Sequence, residues 1–185
     1  MDIPTLRDAK PDTLETAADA YRQLDDALLN RQQDWRAGTA EPIRTSSWTG
    51  EASVAANKSI DHTDERLANA ITDLAPMADA LRNGAYRIRT AQRDLLNTLE
   101  EAKSKGLIVG DDGSVTWTPP APGRLGDDPE ASKRMDDQNR ARAEDTSAEI
   151  QMILQRADDA DRDLATQLNA FQNAATELTA QSAPA

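Results

Sequence analysis

The sequence predicts an all-α protein, an elongated antiparallel helical bundle with a small β-hairpin at one end. Apolar residues recur at every seventh position over long stretches, which is typical of helices that pack along a narrow seam. Only 3% of the 185 residues are aromatic and 38% are apolar, many of them alanine, so thin helical layers are favoured over a thick globular core. Glycine and proline are scarce outside two short stretches, which indicates an ordered chain.

The first predicted helix follows an N-terminal segment, residues 1–11. Asp12 is expected to be its N-cap, with Glu15 reaching back in the first turn. Its apolar stripe consists of Leu14, Ala17, Tyr21, Leu24, Leu28 and Trp35. Residues 38–42 contain glycine and proline and predict the end of this helix. Residues 45–50 then predict a turn that supplies N-cap candidates for a second helix.

The second predicted helix continues to about Lys105 and carries the strongest pattern in the chain. Its stripe consists of Ile60, Leu67, Ile71, Leu74, Ala78, Leu81, Ala85, Ile88, Leu95, Leu99 and Ala102. At about 1.5 Å per residue, a helix of about 55 residues is roughly 80 Å long, which predicts a rod. Pro76 is expected to bend this helix or to open its hydrogen-bond ladder, and Asn83-Gly84 to weaken it, with the helix remaining one element.

Residues 106–127 predict a β-hairpin and a linker. Gly106 is expected to end the preceding helix. Two short β-rich stretches flank the glycine- and aspartate-rich turn at residues 110–113, which is the pattern of a hairpin at one end of the bundle. The stretch from Thr118 to Asp127 is rich in proline and polar residues and predicts a stiff linker.

The third predicted helix covers residues 128–180 and is expected to pack on the helical hairpin formed by residues 12–105. Asp128 as N-cap and Pro129 at the first helical position predict its start. Its stripe consists of Ile150, Leu154, Ala157, Leu164, Leu168, Phe171, Ala175 and Leu178. Residues 135–149 are polar on nearly every face, so we expect them to be exposed or frayed. Residues 181–185 are expected to be a disordered tail.

Charge and composition exclude several classes of partner. The formal net charge is −12, with no basic face along any helical stretch, so nucleic acids and anionic membranes are poor partners. No apolar run approaches the roughly 18 residues that cross a bilayer, which predicts no membrane span. Residues 1–4 lack the charged and apolar regions of a secretory signal peptide. The absence of cysteine excludes disulfides and thiol chemistry.

No residue pattern predicts an active site, a cofactor site or a metal site. His62 is the only histidine, and the positions four residues away on either side hold the cationic Lys58 and Arg66 rather than zinc ligands. Paired aspartates occur at several places, but none has the spacing of a calcium-binding loop. A nucleophile elbow and a phosphate-binding glycine loop are also missing from the sequence. We therefore expect a protein that is not an enzyme and has no catalytic, cofactor-binding or metal-binding residues.

Two features of the helical frame are candidate interaction motifs. The first is Trp48-Thr49-Gly50, in the turn between the first two helices. Trp48 either plugs the open end of a helical hairpin or is displayed to a partner, and Gly50 allows the chain to turn tightly. The second is Tyr21 with Asp25, and Tyr21 also lies on the apolar stripe, where it would belong to the core.

A helix, a Trp-x-Gly turn and a second helix resemble the WxG family of small type VII secretion proteins. The resemblance implies a bundle built on a WxG-type hairpin at residues 12–105. It also implies that Trp48 and Gly50 belong to a secretion or partner motif. Tyr21 and Asp25 match the spacing of the family's Tyr-x-x-x-Asp/Glu motif, although that motif follows the second helix in the family and precedes the turn here.

Three segments, residues 1–8, 17–21 and 110–115, also resemble helical domains that precede hydrolase-like or toxin-like domains in actinobacterial secreted proteins. The two resemblances imply a small WxG-type protein, a type VII secretion ATPase, or an effector domain or protein as partner. Homodimers and heterodimers both remain open. The expected location is outside the cell by the type VII route, or the cytoplasm before export. The alternative hypothesis is a cytoplasmic coiled-coil scaffold or chaperone-like adaptor, in which the Trp48 turn serves packing alone.

Overall fold

The computed structural model describes residues 1–118 and 129–181. It confirms the all-α class and the β-hairpin. The elements are α1 (Ile3–Arg7), α2 (Pro11–Trp35), α3 (Glu41–Arg44), α4 (Glu51–Thr72), α5 (Leu74–Ser104), β1 (Leu107–Val109), β2 (Val115–Trp117) and α6 (Pro129–Gln181). The predicted linker from residue 119 to residue 127, the predicted Asp128 N-cap and the tail at residues 182–185 lie outside the described residues. Among the described helices, none has the length and apolar character to cross a membrane.

The chain forms two compact units. The first unit consists of Met1–Pro11 with Gly84–Asp163, and the second of Asp12–Asn83 with Leu164–Ala185. In the first unit, α6 runs antiparallel to α5. As the residue number of the contacting side chain rises along α5, that of its partner falls along α6. These contacts are Arg87–Asp163 (2.7 Å), Asp94–Arg156 (3.2 Å) and Thr98–Glu149 (3.3 Å).

The β-hairpin packs on the first unit in the predicted place. Its strands are antiparallel, with Leu107 opposite Trp117 and Val109 opposite Val115. Leu107 is buried together with Ala102 of α5 and Ala143 of α6, and the Trp117 indole N–H donates to Asp136 at 3.1 Å. The expectation that residues 135–149 would be exposed or frayed is confirmed in part: most of them are exposed, but all are helical, and Ala143 and Thr146 are buried.

The N-terminal segment contains a helix that the sequence pattern did not predict. In α1, the Asp2 carboxylate caps the first turn by accepting the Thr5 N–H at 2.9 Å, and Ile3 and Leu6 are buried. A five-residue helix is too short to show periodicity. The next helix, α2, begins at Pro11. Asp12 therefore lies in its first turn, and the prediction that it is the N-cap is wrong.

In the second unit, α2 runs antiparallel to α4 and the beginning of α5. Four Arg–Asp contacts join them: Asp19–Arg82 (2.6 Å), Arg22–Asp79, Arg36–Asp64 (2.7 Å) and, from α3, Arg44–Asp61 (2.6 Å). A core cluster contains Ala18, Ala78, Ala80, Leu81 and Leu164, with Leu14, Ala17, Tyr21, Met77, Leu168 and Phe171 packed against it. The predicted stripes of the first and third helices thus meet in this cluster.

The long second helix is not a single element. It is interrupted at Asp73, between α4 and α5. Pro76 has no N–H to donate to the Thr72 carbonyl, and its ring crowds that carbonyl, so the α-helical ladder is broken there. The ladder resumes where Met77 N–H donates to the Asp73 carbonyl at 3.0 Å. Asn83-Gly84 causes no break, since α5 continues through both residues.

The first long helix does not end at residues 38–42 as predicted. Instead, Arg36–Ala40 forms a π-helical turn, and α3 continues to Arg44. Pro42 cannot donate to the Gly38 carbonyl, so the α-helical spacing fails at this point. The helical turn here contains one extra residue, and Glu41 N–H donates to the carbonyl of Arg36, five residues earlier.

Candidate functional site

The segment between α3 and α4 displays Trp48. The side chain is 49% exposed. The hypothesis that this tryptophan plugs the end of the helical hairpin is therefore wrong, because a plug would be buried. A half-exposed indole presents both apolar area and an N–H donor to a neighbouring molecule.

The backbone of the turn is held by short-range hydrogen bonds rather than by the indole. Trp48 N–H donates to the Ser46 hydroxyl at 3.3 Å, and that hydroxyl donates to the Ile43 carbonyl at 2.8 Å. On the other side, the Ser53 hydroxyl donates to the Trp48 carbonyl at 2.9 Å. The turn is thereby fastened to the end of α3 and to the first turn of α4.

Gly50 is the N-cap residue that precedes α4, and its backbone has a conformation that other residues avoid. Its φ is 106° and its ψ is −179°, a region populated almost solely by glycine. The Gly50 carbonyl accepts the Val54 N–H at 3.2 Å, which closes the first turn of α4. The glycine of the Trp-x-Gly motif is therefore required by the backbone conformation of the turn.

A second exposed apolar residue follows Trp48 closely in the chain. Val54, in the first turn of α4, is 70% exposed. We call Trp48 and Val54 together the Trp48 surface. Val54 was not predicted to belong to this surface, since an isolated valine near a helix start carries no distinctive pattern. Ser46 lies in the segment that was predicted to supply an N-cap for the second helix, but its hydroxyl bonds the end of α3 and the Trp48 N–H instead. Ser53 was not predicted, although serine close to a helix end is typical of side-chain-to-backbone hydrogen bonds.

Tyr21 and Asp25 point to the inside of the second unit. Tyr21 is half-buried against the core cluster, and Asp25 is only 8% exposed. Within the described part of the chain, no residue forms a hydrogen bond or ion pair with the Asp25 side chain. Tyr21 lies about 20 Å along the α2 axis from Trp35, at about 1.5 Å per residue, so the structure does not bring this pair to the Trp48 turn.

The remaining chemistry-bearing residues form no catalytic constellation in the described ranges. His62 is exposed on α4. Among residues 1–118 and 129–181, no group of three or more histidine or acidic side chains is arranged to hold a metal ion. In the hairpin turn, hydrogen bonds from the hydroxyl and N–H of Ser114 lower the pKa of the Asp112 carboxyl. This is the behaviour of an aspartate that stabilises a turn.

Comparison with known proteins adds no relative. No protein-family model, no curated protein and no solved structure matches this chain. The geometry of the Trp48 turn is therefore the main observation that bears on function.

Proposed function

We propose that this chain is a non-enzymatic protein-interaction module associated with type VII secretion. It acts as a secreted protein or as a targeting module, and it binds a small WxG-type protein or the secretion ATPase through the Trp48 surface. The observation that carries the proposal is the half-exposed indole of Trp48 on a turn whose backbone is already fixed. Tryptophan is enriched among the residues that dominate binding energy at protein interfaces.

The free energy gained when a partner covers the exposed part of Trp48 is sufficient for recognition. About half of the roughly 250 Å² of a tryptophan side chain remains for a partner to cover, which corresponds to about 3 kcal/mol at about 25 cal/mol per Å². That free energy is about a hundredfold in affinity. Because the Trp48 N–H donates to Ser46 and the Ser53 hydroxyl donates to the Trp48 carbonyl, the turn is held in place and little further ordering is needed on binding.

A cytoplasmic scaffold or chaperone-like adaptor is the second candidate. The burial of Tyr21 and Asp25 favours it, because a Tyr-x-x-x-Asp motif turned into the bundle is not accessible to a secretion ATPase. The same Trp48 surface would then bind a partner that is unrelated to secretion.

The test is affinity purification of the tagged full chain from a host with a type VII system, with cytosol and culture supernatant analysed separately. Wild type is compared with Trp48→Ala and with the control Leu24→Ala, which removes a side chain of similar exposure, 46%, from α2. We expect small WxG proteins or the secretion ATPase to co-purify with wild type and Leu24→Ala but not with Trp48→Ala.

Two results would contradict the secretion role. Release into the supernatant that continues unchanged in cells without the secretion ATPase would do so. Recovery from cytosol alone, with unrelated partners that are lost on Trp48→Ala, would establish the adaptor instead. Equal partner recovery with Trp48→Ala and wild type would reject the Trp48 surface under both hypotheses.

A further inference from the structure

A groove follows one side of α6 in the first unit. It consists of two adjoining depressions that share Arg156. One has a volume of about 260 Å³ and is lined in part by Tyr86 and Ala91 of α5. The other has a volume of about 600 Å³ and is lined by residues of α6 that include Glu149, Met152 and Ile153. We call both depressions together the α6 groove.

The α6 groove contains two large apolar residues that are exposed to solvent. Tyr86, in the smaller depression, is 66% exposed, and Met152, in the larger one, is 62% exposed. Exposed tyrosine and methionine are both enriched on surfaces that another protein covers. An occupant of the groove should therefore contribute an apolar side chain and charges opposite to those of the groove residues.

The charges along the groove are self-complementary. Glu149, Met152 and Arg156 lie three and four residues apart, so they share one side of α6. Glu149 is held by the Thr98 hydroxyl at 3.3 Å, and Arg156 by Asp94 at 3.2 Å. If two such helices are placed antiparallel about a two-fold axis near Met152, each Glu149 faces the Arg156 of the other copy. A two-fold interface requires this kind of reciprocity.

We propose that two copies of this chain associate through the α6 groove. In this dimer the α6 helices are antiparallel, the exposed Met152 side chains of the two copies meet near the two-fold axis, and Glu149 pairs with Arg156 across the interface at both ends. The inference goes beyond the secretion role and does not depend on it, since the Trp48 surface belongs to the other unit.

The net charge of −12 per chain is only partly reflected at the groove. The charged residues that line the groove are two arginines, Arg87 and Arg156, and two acids, Glu149 and Asp159, whose charges cancel. The acids that pair with these arginines, Asp163 and Asp94, leave a small excess of negative charge. Repulsion between more distant acidic residues is screened beyond about 8 Å at physiological ionic strength.

The test is a charge exchange, followed by sedimentation velocity of the full chain over a wide concentration range. We expect wild type to dimerise, and Glu149→Arg or Arg156→Glu alone to weaken dimerisation by about tenfold or more, because like charges then face each other. The combined variant, with both changes, restores the pairs in exchanged form and should dimerise within a few-fold of wild type.

Two controls separate the interface from the fold. Glu144→Arg makes the same change in net charge at an exposed residue about 140° around the helix from Glu149, so it should leave dimerisation unchanged. Asp94→Asn removes the intramolecular partner of Arg156 and should also leave it unchanged. Circular dichroism on each variant verifies that the helices persist.

Cross-linking gives a second readout. The chain has no cysteine, so Met152→Cys introduces a single thiol near the proposed two-fold axis. Under oxidising conditions this variant should form a disulfide-linked dimer much faster than Glu144→Cys does. A monomer at every concentration, equal cross-linking rates, or a combined charge variant as weak as the single ones would overturn the proposal.

Discussion

The Ser53 hydroxyl donates a 2.9 Å hydrogen bond to the main-chain carbonyl of Trp48. Ser53 belongs to the first turn of α4 and is itself buried. The position of the Trp48 backbone is therefore set by α4, and the indole contributes little to it. This relationship separates the role of the side chain in binding from that of the turn in folding, and it makes the two experimentally distinguishable.

Trp48→Ala should reduce the free energy of unfolding by about 1–2 kcal/mol, compared with about 3–5 kcal/mol for a fully buried tryptophan. The reason is that half of the side chain is already in contact with water. Chemical denaturation of wild type and variant measures the difference. A loss of stability in the range of a buried tryptophan would show that Trp48 is a core residue and would remove the basis of the proposed binding surface.

Gly50→Ala should destabilise the protein by about 1–3 kcal/mol, because its φ of 106° lies in a region that a Cβ atom disfavours. No neighbouring atom would touch the added Cβ, so the effect comes from the backbone alone. Gly38→Ala is the matched control: its surroundings are equally open and its φ is not positive. Thermal melts should show a loss for Gly50→Ala alone, and equal losses for both would contradict the assignment to backbone strain.

Pro76→Ala should join α4 and α5 into one helix. The new N–H could donate to the Thr72 carbonyl, and up to about 3 kcal/mol of helix-interior penalty would be removed. We expect higher mean helicity by far-ultraviolet circular dichroism, together with slower amide exchange around Asp73. Unchanged helicity and exchange would indicate that packing, rather than proline, interrupts the helix.

Asp112 should make the stability of the hairpin turn dependent on pH. Hydrogen bonds from the Ser114 hydroxyl and N–H place the pKa of the Asp112 carboxyl below its ordinary value of 3.8. Because the pKa is lower in the folded state, this contribution is complete above the ordinary pKa and is lost as the pH falls through the folded pKa. An NMR titration of the carboxyl should show the lowered pKa. The acid-induced shift of the Ser114 amide signal should be smaller in Asp112→Asn, and a pKa at or above 3.8 would contradict the assignment.

The helices and the hairpin were predictable because their causes are local. Ile60 and Leu95 lie on a stripe whose spacing alone specifies a helix, and the glycines around Asp111 and Asp112 specify a tight turn between strands. The breaks within the long helices were harder to predict from the sequence. Pro76 predicted a disturbance, but whether the chain bends or breaks depends on which backbone groups find new partners.

The candidate site was predictable in part. Trp48 and Gly50 were identified from the sequence, whereas the exposure of Trp48 depends on which side chains the folded unit places beside it. The same limit applies to Asp25, which is four residues from Tyr21 and so shares its helical face. Heptad spacing indicates that face but does not indicate whether a charged residue there is buried.

The π-helical turn at Arg36–Ala40 has a consequence for the direction in which later side chains point. An α-helix advances by about 100° for each residue, so one extra residue rotates everything beyond it by about that angle relative to α2. Arg44 reaches Asp61 at 2.6 Å with this rotation in place. Without it, the arginine would point roughly a quarter of a turn away, and α3 would lose its ion pair with α4. The π-helical turn thus sets the direction in which the side chains of α3 point, just before the chain reaches Trp48.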